Sequence, residues 1–161
     1  MIRLSKLTDY AVVVLLRLSA APDPAEGVQT SPGIAAATGV PEPTVAKVLK
    51  LLTASALVSS HRGARGGYRL ARGLEEISIA DVIAAVDGPI ALTACVEGAQ
   101  SACGTGGDGG CALRGRWKRV NDAIRHALEG ISLAEMFDDP LPTVHHRKAA
   151  LPLSPVSTHA D

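Results

Sequence analysis

The stretch TSPGIAAATGVPEPTVAKVLKLLTASALVSSHRGARGGYRLA, residues 30–71, decides the fold of this chain of 161 residues. It contains two segments with helical signals, IAAAT and TVAKVLKLLTA, separated by Gly39 and the Pro-containing sequence VPEP. Thr30 or Ser31 is a suitable N-cap for the first helix, Pro32 lies in its first turn, and Gly39 is a suitable C-cap. Two short helices joined by a glycine turn predict a helix-turn-helix unit.

A β-hairpin follows the second predicted helix, which we expect to end at about Ala56. The segments LVSSH and YRLA have strand signals, and the glycine-rich sequence RGARGG between them is typical of a turn. A hairpin in this position is a wing. The predicted fold class is mainly α with a small β-wing: a winged helix-turn-helix domain followed by a long dimerisation helix and a cysteine-bearing loop. The alternative is a small all-helical core with a solvated basic loop.

Charge is distributed unevenly along a chain whose formal net charge is zero. Residues 1–72 carry nine Lys and Arg against four Asp and Glu, a net +5, whereas residues 73–161 carry seven against twelve, a net −5. The positive excess lies mostly between Lys47 and Arg72, and such a basic region indicates a polyanionic partner. We expect double-stranded DNA, contacted by the second helix and the turn of the hairpin through Thr44, Lys47, Lys50, Arg62 and Arg65.

The N-terminal segment predicts a helix from Thr8, as its N-cap, to about Ala20, and its nearly all-round apolarity favours a buried helix. Arg17 interrupts the apolar run AVVVLLRL. We therefore expect neither a signal peptide nor a membrane span, but a cytoplasmic protein. Reducing conditions and an odd number of cysteines argue against a disulfide framework.

The second half of the chain predicts helices with recognisable ends. Ser78 and Asp81 form a capping box for IADVIAAV, which Gly88 closes, and Ser132 and Glu135 form another. Between them, residues 112–128 predict a long polar helix with one narrow apolar stripe. Such a stripe favours packing against a second copy over packing within one chain, and a homodimer suits a pseudo-palindromic DNA site. The stripe consists of Leu113, Trp117, Val120, Ile124 and Leu128.

All three cysteines, Cys95, Cys103 and Cys111, lie in one stretch, with seven residues between successive cysteines. This spacing is not the CxxC of a zinc knuckle, and no local Cys–His pair indicates a catalytic thiol. Six of the fifteen residues between Cys95 and Cys111 are glycine, so the loop can wrap around an inorganic core. Three thiolates are one fewer than the usual four ligands of an iron–sulfur cluster. A cluster, a zinc site and unligated thiols all stay open at this point.

Several segments together resemble the IscR/NsrR-type (Rrf-two family) winged-helix transcription regulators, which are iron–sulfur proteins of bacteria. The likeness runs from about Ile2 to Phe137. It depends on RLSKLTDYAV, SSHRGARGGYRLA, ISIADVIAAVDGP and the three-cysteine loop followed by a helix. The run CALRGRWKRVNDAIRHALEGISLAEM is most similar to the subgroup that regulates the SUF cluster-assembly operon.

The resemblance implies a homodimer that holds a [2Fe–2S] or [4Fe–4S] cluster through Cys95, Cys103 and Cys111. Members similar to IscR have a histidine three residues after the last cysteine. This chain has Arg114 at that position, and a permanently charged guanidinium is no iron ligand.

Members similar to NsrR take the fourth ligand from an acidic residue of the first helix of the other subunit. Asp9 matches that position, so we expect Asp9 of the partner to complete the site, with Glu97, Asp108 or a solvent oxygen as rivals. Asp9 could equally be a first-turn acid that interacts with the helix dipole.

The expected protein is a DNA-binding regulator, not an enzyme, which senses cluster status or oxidative or iron stress and controls SUF genes. One alternative is a cluster-free regulator that depends on thiols or zinc. The other is an iron–sulfur or thiol enzyme, but GARGG opens no helix and so forms no phosphate-binding motif. The expected domains are a DNA-binding domain (1–73), the cluster loop with dimerisation helices (74–137) and a disordered tail (138–161).

Overall fold

The computed structural model describes residues 4–20, 27–63, 66–91 and 116–138. Within these ranges the chain forms six α-helices, a two-stranded antiparallel sheet and a one-turn helix at Leu74–Glu76. This architecture confirms the predicted fold class, mainly α with a small β-wing. The elements are α1 (Lys6–Ser19), α2 (Ser31–Thr38), α3 (Glu42–Ala54), β1 (Val58–His61), β2 (Gly67–Leu70), α4 (Ile79–Asp87), α5 (Arg116–Glu129) and α6 (Glu135–Asp138).

One hydrophobic core holds α1, α2, α3 and α4 together. Helix α3 contributes a stripe at the spacing of one helix face, and each of its four members is fully buried. Aliphatic side chains fill this core, as the scarcity of aromatic residues in the sequence requires. The buried stripe of α3 consists of Val45, Val48, Leu49 and Leu52.

The first helix begins earlier than predicted, because Ser5 and not Thr8 is its N-cap. The Ser5 Oγ accepts a hydrogen bond from the Thr8 backbone N–H at 3.3 Å. Thr8 is buried instead, and its hydroxyl donates to Asp87 Oδ2 on α4 at 2.7 Å. Nor is α1 buried all round, since Val13 is 38% exposed. The contact with α4, which is remote in sequence, decides which hydroxyl caps the helix.

The helix-turn-helix signals of the sequence are confirmed at residue level. Thr30 Oγ1 accepts from the Gly33 N–H at 3.2 Å, so Thr30 is the N-cap of α2. Gly39 ends α2 in the left-handed conformation, with φ 72°, which a residue without a Cβ adopts at little cost. The next helix, α3, ends at Ala54 instead of at about Ala56.

The wing is a hairpin in which Val58 pairs with Leu70 and His61 pairs with Gly67. A third segment joins it, because Gln29 and Tyr68 exchange two backbone hydrogen bonds of 2.8 Å. A Cβ at residue 67 would lie 2.6 Å from the Gln29 carbonyl oxygen, so this close approach requires glycine. The wing is thereby attached to the chain just before α2.

The segment after α5 returns to the core. Ser132 forms a β-bridge with Ser78, and the Leu133 N–H donates to the Ile77 carbonyl at 2.7 Å. Leu133 is fully buried in the cluster that also contains the α1 and α3 side chains. Both predicted capping boxes, at Ser78 and at Ser132, are confirmed. The core continues across residue 73, and the division into functional domains stays a prediction.

Candidate nucleic-acid interface

The outer face of α3 is opposite its buried stripe. Lys47 and Lys50 are exposed on it, and Thr44 is half-buried at its edge. Because the four buried apolar side chains fix the rotation of α3 about its axis, the two lysines are held towards solvent. Two exposed ammonium groups on the second helix of a helix-turn-helix unit are suited to phosphate or guanine contacts.

The end of the wing adds a further cationic group, the guanidinium of Arg62. Arg62 and His61 are exposed at the end of β1, and Gly63 has φ 119°. Arg65 lies outside the described residues. An arginine at the tip of a narrow hairpin has the reach and shape to enter a minor groove.

One exposed arginine of the wing was missing from the predicted site. Arg69 lies opposite Ser59 in the hairpin register, and its Nε donates to Ser59 Oγ at 3.4 Å. Ser59 Oγ also lies 3.4 Å from His61 Nε2, so these three polar residues share one face of the wing. The alternation of side chains along a strand could have identified this face from the sequence.

The predicted stripe of α5 is divided in the structure. Trp117 and Val120 are 40% and 45% exposed. Ile124 and Leu128 are half-buried, and together with Leu4 and other apolar side chains they line a cavity of about 350 Å³. Leu113 lies outside the described residues. One half of the stripe is therefore partly covered by the protein's own chain, and the other half faces solvent.

A polar residue anchors α5 to the rest of the molecule. Asn121 is only 4% exposed, and its Nδ2 donates to the Ile90 carbonyl at 2.9 Å. Sequence reasoning did not single out this residue, since asparagine in a polar helix usually faces water. Its burial marks the side of α5 that lies against α4.

Asp9 is exposed on the first turn of α1, and the three cysteines proposed to join it lie outside the described residues. In the part of the chain that the structure describes, no three His, Cys, Asp or Glu side chains come together as a metal site. The exposed carboxylate of Asp9 is accessible to a second molecule. This is the property that a ligand donated across a dimer needs.

The turn that carries Asp9 is tied to the end of α4. Asp87 Oδ2 accepts from the Thr8 hydroxyl at 2.7 Å and from the Ser5 N–H at 3.2 Å. Partial burial acts to raise the pKa of Asp87, but the hydrogen bonds from Ser5 and Thr8 hold that pKa below its ordinary value. The contact places the first turn of α1 beside residues 88–91, which lead into the cysteine-bearing stretch.

The profile of the Rrf2 family, described as iron-dependent transcriptional regulators, matches residues 4–139. This chain belongs to the Rrf2 family. This Rrf2 protein is 37% identical over 141 residues to Rv1287 of Mycobacterium tuberculosis, named as an HTH-type transcriptional regulator, with 87% of this chain and 84% of that protein covered. It is 33% identical over 139 residues to the HTH-type transcriptional regulator IscR of Photorhabdus laumondii, with 85% and 80% covered.

A solved structure with the same fold is CymR, described as the global cysteine regulator of B. subtilis. It superimposes with a TM-score of 0.59 at 26% sequence identity, covering 84% of this chain and 96% of CymR. The family is described as transcriptional regulators, and the two relatives named above are HTH-type transcriptional regulators, so this Rrf2 protein is a DNA-binding regulator and not an enzyme. In the described residues no helix is long and apolar enough to span a membrane.

Proposed function

We propose that the protein is a homodimeric regulator that binds a pseudo-palindromic operator in the cytoplasm and responds to an iron–sulfur cluster. The observation that carries the proposal is the exposed cationic face of α3, held outward by a fully buried stripe and followed directly by a basic wing. In this arrangement α3 enters the major groove, and the wing contacts the neighbouring groove or backbone.

Each cationic residue has a role in this proposal. Lys47 and Lys50 of α3 contact phosphates or guanines, with Thr44 near the helix N-terminus close to the base edges. Arg62 and Arg65 at the wing contact the minor groove or its phosphates. Among the described residues of this set, Lys47, Lys50 and Arg62 are exposed. These charged groups can therefore contact DNA without first leaving a buried ion pair.

Dimerisation through α5 follows from its uncovered apolar half. An exposed tryptophan and valine on adjacent turns of a polar helix form a surface that a second α5 covers well. The proposed seam has Trp117 and Val120 at its centre and continues to Ile124 and Leu128. Leu113, which lies outside the described residues, is the further member predicted from the sequence. Two copies then present two α3 helices to the two halves of one operator.

The proposed cluster, [2Fe–2S] or [4Fe–4S], has four ligands. They are Cys95, Cys103 and Cys111 of one chain and Asp9 of the partner subunit. Three thiols and one carboxylate are a donor set that suits iron, and the exposure of Asp9 supports donation between subunits. When bound, the cluster supplies iron–thiolate bonds that oxidants or iron loss can break. The carboxylate is a hard, exchangeable ligand beside thiolates, so Asp9 ties cluster status to the position of a DNA-binding domain.

The family description and the IscR relative support an iron-dependent role, and we propose cluster-assembly genes of the SUF type as the targets. The CymR likeness supports a second candidate, a regulator that responds to cysteine or thiol status without a cluster. The two candidates differ in whether the purified protein contains iron and sulfide.

The cluster is tested by purification without air. We expect a coloured protein with bound iron and sulfide, and bleaching when Cys95, Cys103 or Cys111 is replaced by Ala. Asp9→Ala should change the visible spectrum or speed the loss of iron, whereas Asp122→Ala, an acid of α5, should not. A protein that stays colourless after reconstitution with iron and sulfide supports the second candidate. An unchanged spectrum together with an unchanged rate of iron loss in Asp9→Ala removes Asp9 from the ligand set.

DNA binding is tested with a duplex selected from a random library, with affinity measured by fluorescence anisotropy. Lys47→Ala and Lys50→Ala should each weaken binding by about 1–3 kcal/mol, with a lower salt dependence for a residue that contacts phosphate. Lys118→Ala on α5 is the matched control and should leave affinity unchanged. Failure to bind any duplex, with or without the cluster, contradicts the proposed function.

A further inference from the structure

Two small apolar residues lie among the cations on the outer face of α3. Pro43, Ala46, Lys47 and Lys50 are all exposed. Their spacings of three, four and seven residues place them on one face, since an α-helix turns by about 100° per residue. The opposite stripe of α3 is fully buried, so this face cannot rotate away from a bound ligand without disrupting the core.

The same helix has few side chains for reading bases through hydrogen bonds. Helix α3, with the sequence EPTVAKVLKLLTA, contains no Arg, Asn, Gln or Ser. Its polar groups are Glu42, the half-buried Thr44, the two lysines and Thr53. Bidentate recognition of guanine by Arg, or of adenine by Asn or Gln, is therefore not available to this helix.

Small apolar side chains recognise a different feature of the major groove. The 5-methyl group of thymine projects into it, and contact with an alanine methyl or a similar group distinguishes thymine from the other bases. Side chains as short as Pro43 and Ala46 also let the helix backbone approach the bases closely. The flanking lysines can meanwhile contact phosphates or guanines and hold the helix in register.

We infer that Pro43 and Ala46 read thymine methyl groups, so that each operator half-site places at least one thymine against the first half of α3. The inference deepens the proposed function and depends on its placement of α3 in the major groove. It names the base class recognised and the two side chains that recognise it.

The test replaces thymine by deoxyuridine, which keeps every hydrogen-bonding group and removes only the methyl. A duplex selected from a random library is prepared with this replacement at each thymine of a half-site in turn, and affinity is measured for the protein purified without air. Loss of one buried methyl contact should weaken binding about fourfold. Replacement in both half-sites should weaken it about sixteenfold, because separated positions contribute independently.

Variants identify the side chains that contact the methyl. In Ala46→Gly or Pro43→Gly the ratio of affinities for thymine and deoxyuridine duplexes should fall from about fourfold towards one. Glycine also reduces helix stability and can weaken binding to both duplexes, but this cost cancels in the ratio. Ala84→Gly, at an exposed position of α4, carries the same helix cost and should keep the fourfold ratio.

The outcomes separate this inference from the proposed function. If the protein binds the selected duplex tightly and deoxyuridine changes nothing, methyl recognition is wrong and DNA binding stands. If the ratio stays about fourfold in both glycine variants, other side chains read the methyl and the inference is overturned. If no duplex is bound in any state, the proposed function itself fails.

Discussion

Helices α3 and α5 have similar lengths, 13 and 14 residues, and each carries an apolar stripe, but their stripes end in different surroundings. Val45, Val48, Leu49 and Leu52 of α3 are all fully buried, whereas Trp117 and Val120 of α5 are 40% and 45% exposed. Helix α3 is surrounded by α1, α2, α4 and β1, whereas α5 lies mainly against α4. A stripe therefore predicts that a face will be covered without saying what covers it.

The contrast extends to the buried polar residue of α5. A helix that belongs to a core buries apolar side chains, but the one buried residue of α5 is Asn121, which donates a hydrogen bond to the Ile90 carbonyl. Helix α5 is thus fixed to the rest of the chain by a polar contact, while part of its apolar surface stays exposed. This combination suits a helix that must be held in place and also meet a partner.

The largest expected effect concerns the α3 stripe. Leu49→Ala should lower the free energy of unfolding by about 2–5 kcal/mol, because it leaves a cavity among side chains that cannot collapse fully. Urea denaturation measures this effect. Met136→Ala, at a residue 51% exposed, should change stability by less than about 1 kcal/mol. Equal effects of the two changes would contradict the role of α3 as the centre of the core.

A smaller effect is expected from a change in the α5 stripe. It concerns the free energy of dimerisation and not the free energy of unfolding. Val120→Lys should weaken dimerisation by about 2 kcal/mol, roughly thirtyfold, since it places a charge in the proposed seam. Sedimentation velocity over a range of concentrations measures this shift towards monomer. Ala123→Lys adds the same charge at an exposed position outside the stripe and should leave the dimer intact. A dimer that survives Val120→Lys means that another surface forms it.

The smallest expected effect is the pH dependence of the contact between α1 and α4. The pKa of Asp87 is lowered from its ordinary value of 3.8 by hydrogen bonds from Ser5 and Thr8 that outweigh its partial burial. Its charged form therefore stabilises the fold above pH 4, and this contribution is lost as the pH falls through the lowered pKa. Although these contacts cover part of it, Asp87 stays exposed to solvent, so the contribution is below about 1 kcal/mol.

Comparison of the wild type with Asp87→Asn by urea denaturation tests this contact. The wild type should be slightly more stable at pH 7, and the difference should disappear in strongly acidic solution. A wild type that gains stability relative to Asp87→Asn on acidification would show that the sign is wrong.

Features that depend on residues close in sequence were predicted from the sequence. Thr30, Gly39, Ser78 and Ser132 cap their helices as expected, because a cap needs only a hydroxyl or a glycine within a few residues of the orphan backbone groups. The wing also follows from local signals, alternation and a glycine turn. Among the site residues, the exposure of Lys47, Lys50 and Arg62 agrees with their predicted roles, while the roles themselves stay predictions.

Where a feature depends on residues remote in sequence, its prediction was wrong or the feature was missed. Thr8 was predicted to cap α1, but it bonds to Asp87, which lies 79 residues further along the chain. The pairing of Gln29 with Tyr68 had no local signal, and neither did the burial of Asn121. No pattern of nearby residues could indicate these contacts, since each depends on how separate elements come together.

The sequence by itself determined the helix-turn-helix, the wing, the basic character of that half of the chain and the family to which it belongs. The reason is that caps, turns, strand alternation and charge are all properties of short segments. Only the tertiary structure decided which hydroxyl caps α1 and how the two apolar stripes are used. Burial depends on the neighbours that the fold brings together, and the fold surrounds α3 on several sides but leaves part of α5 open.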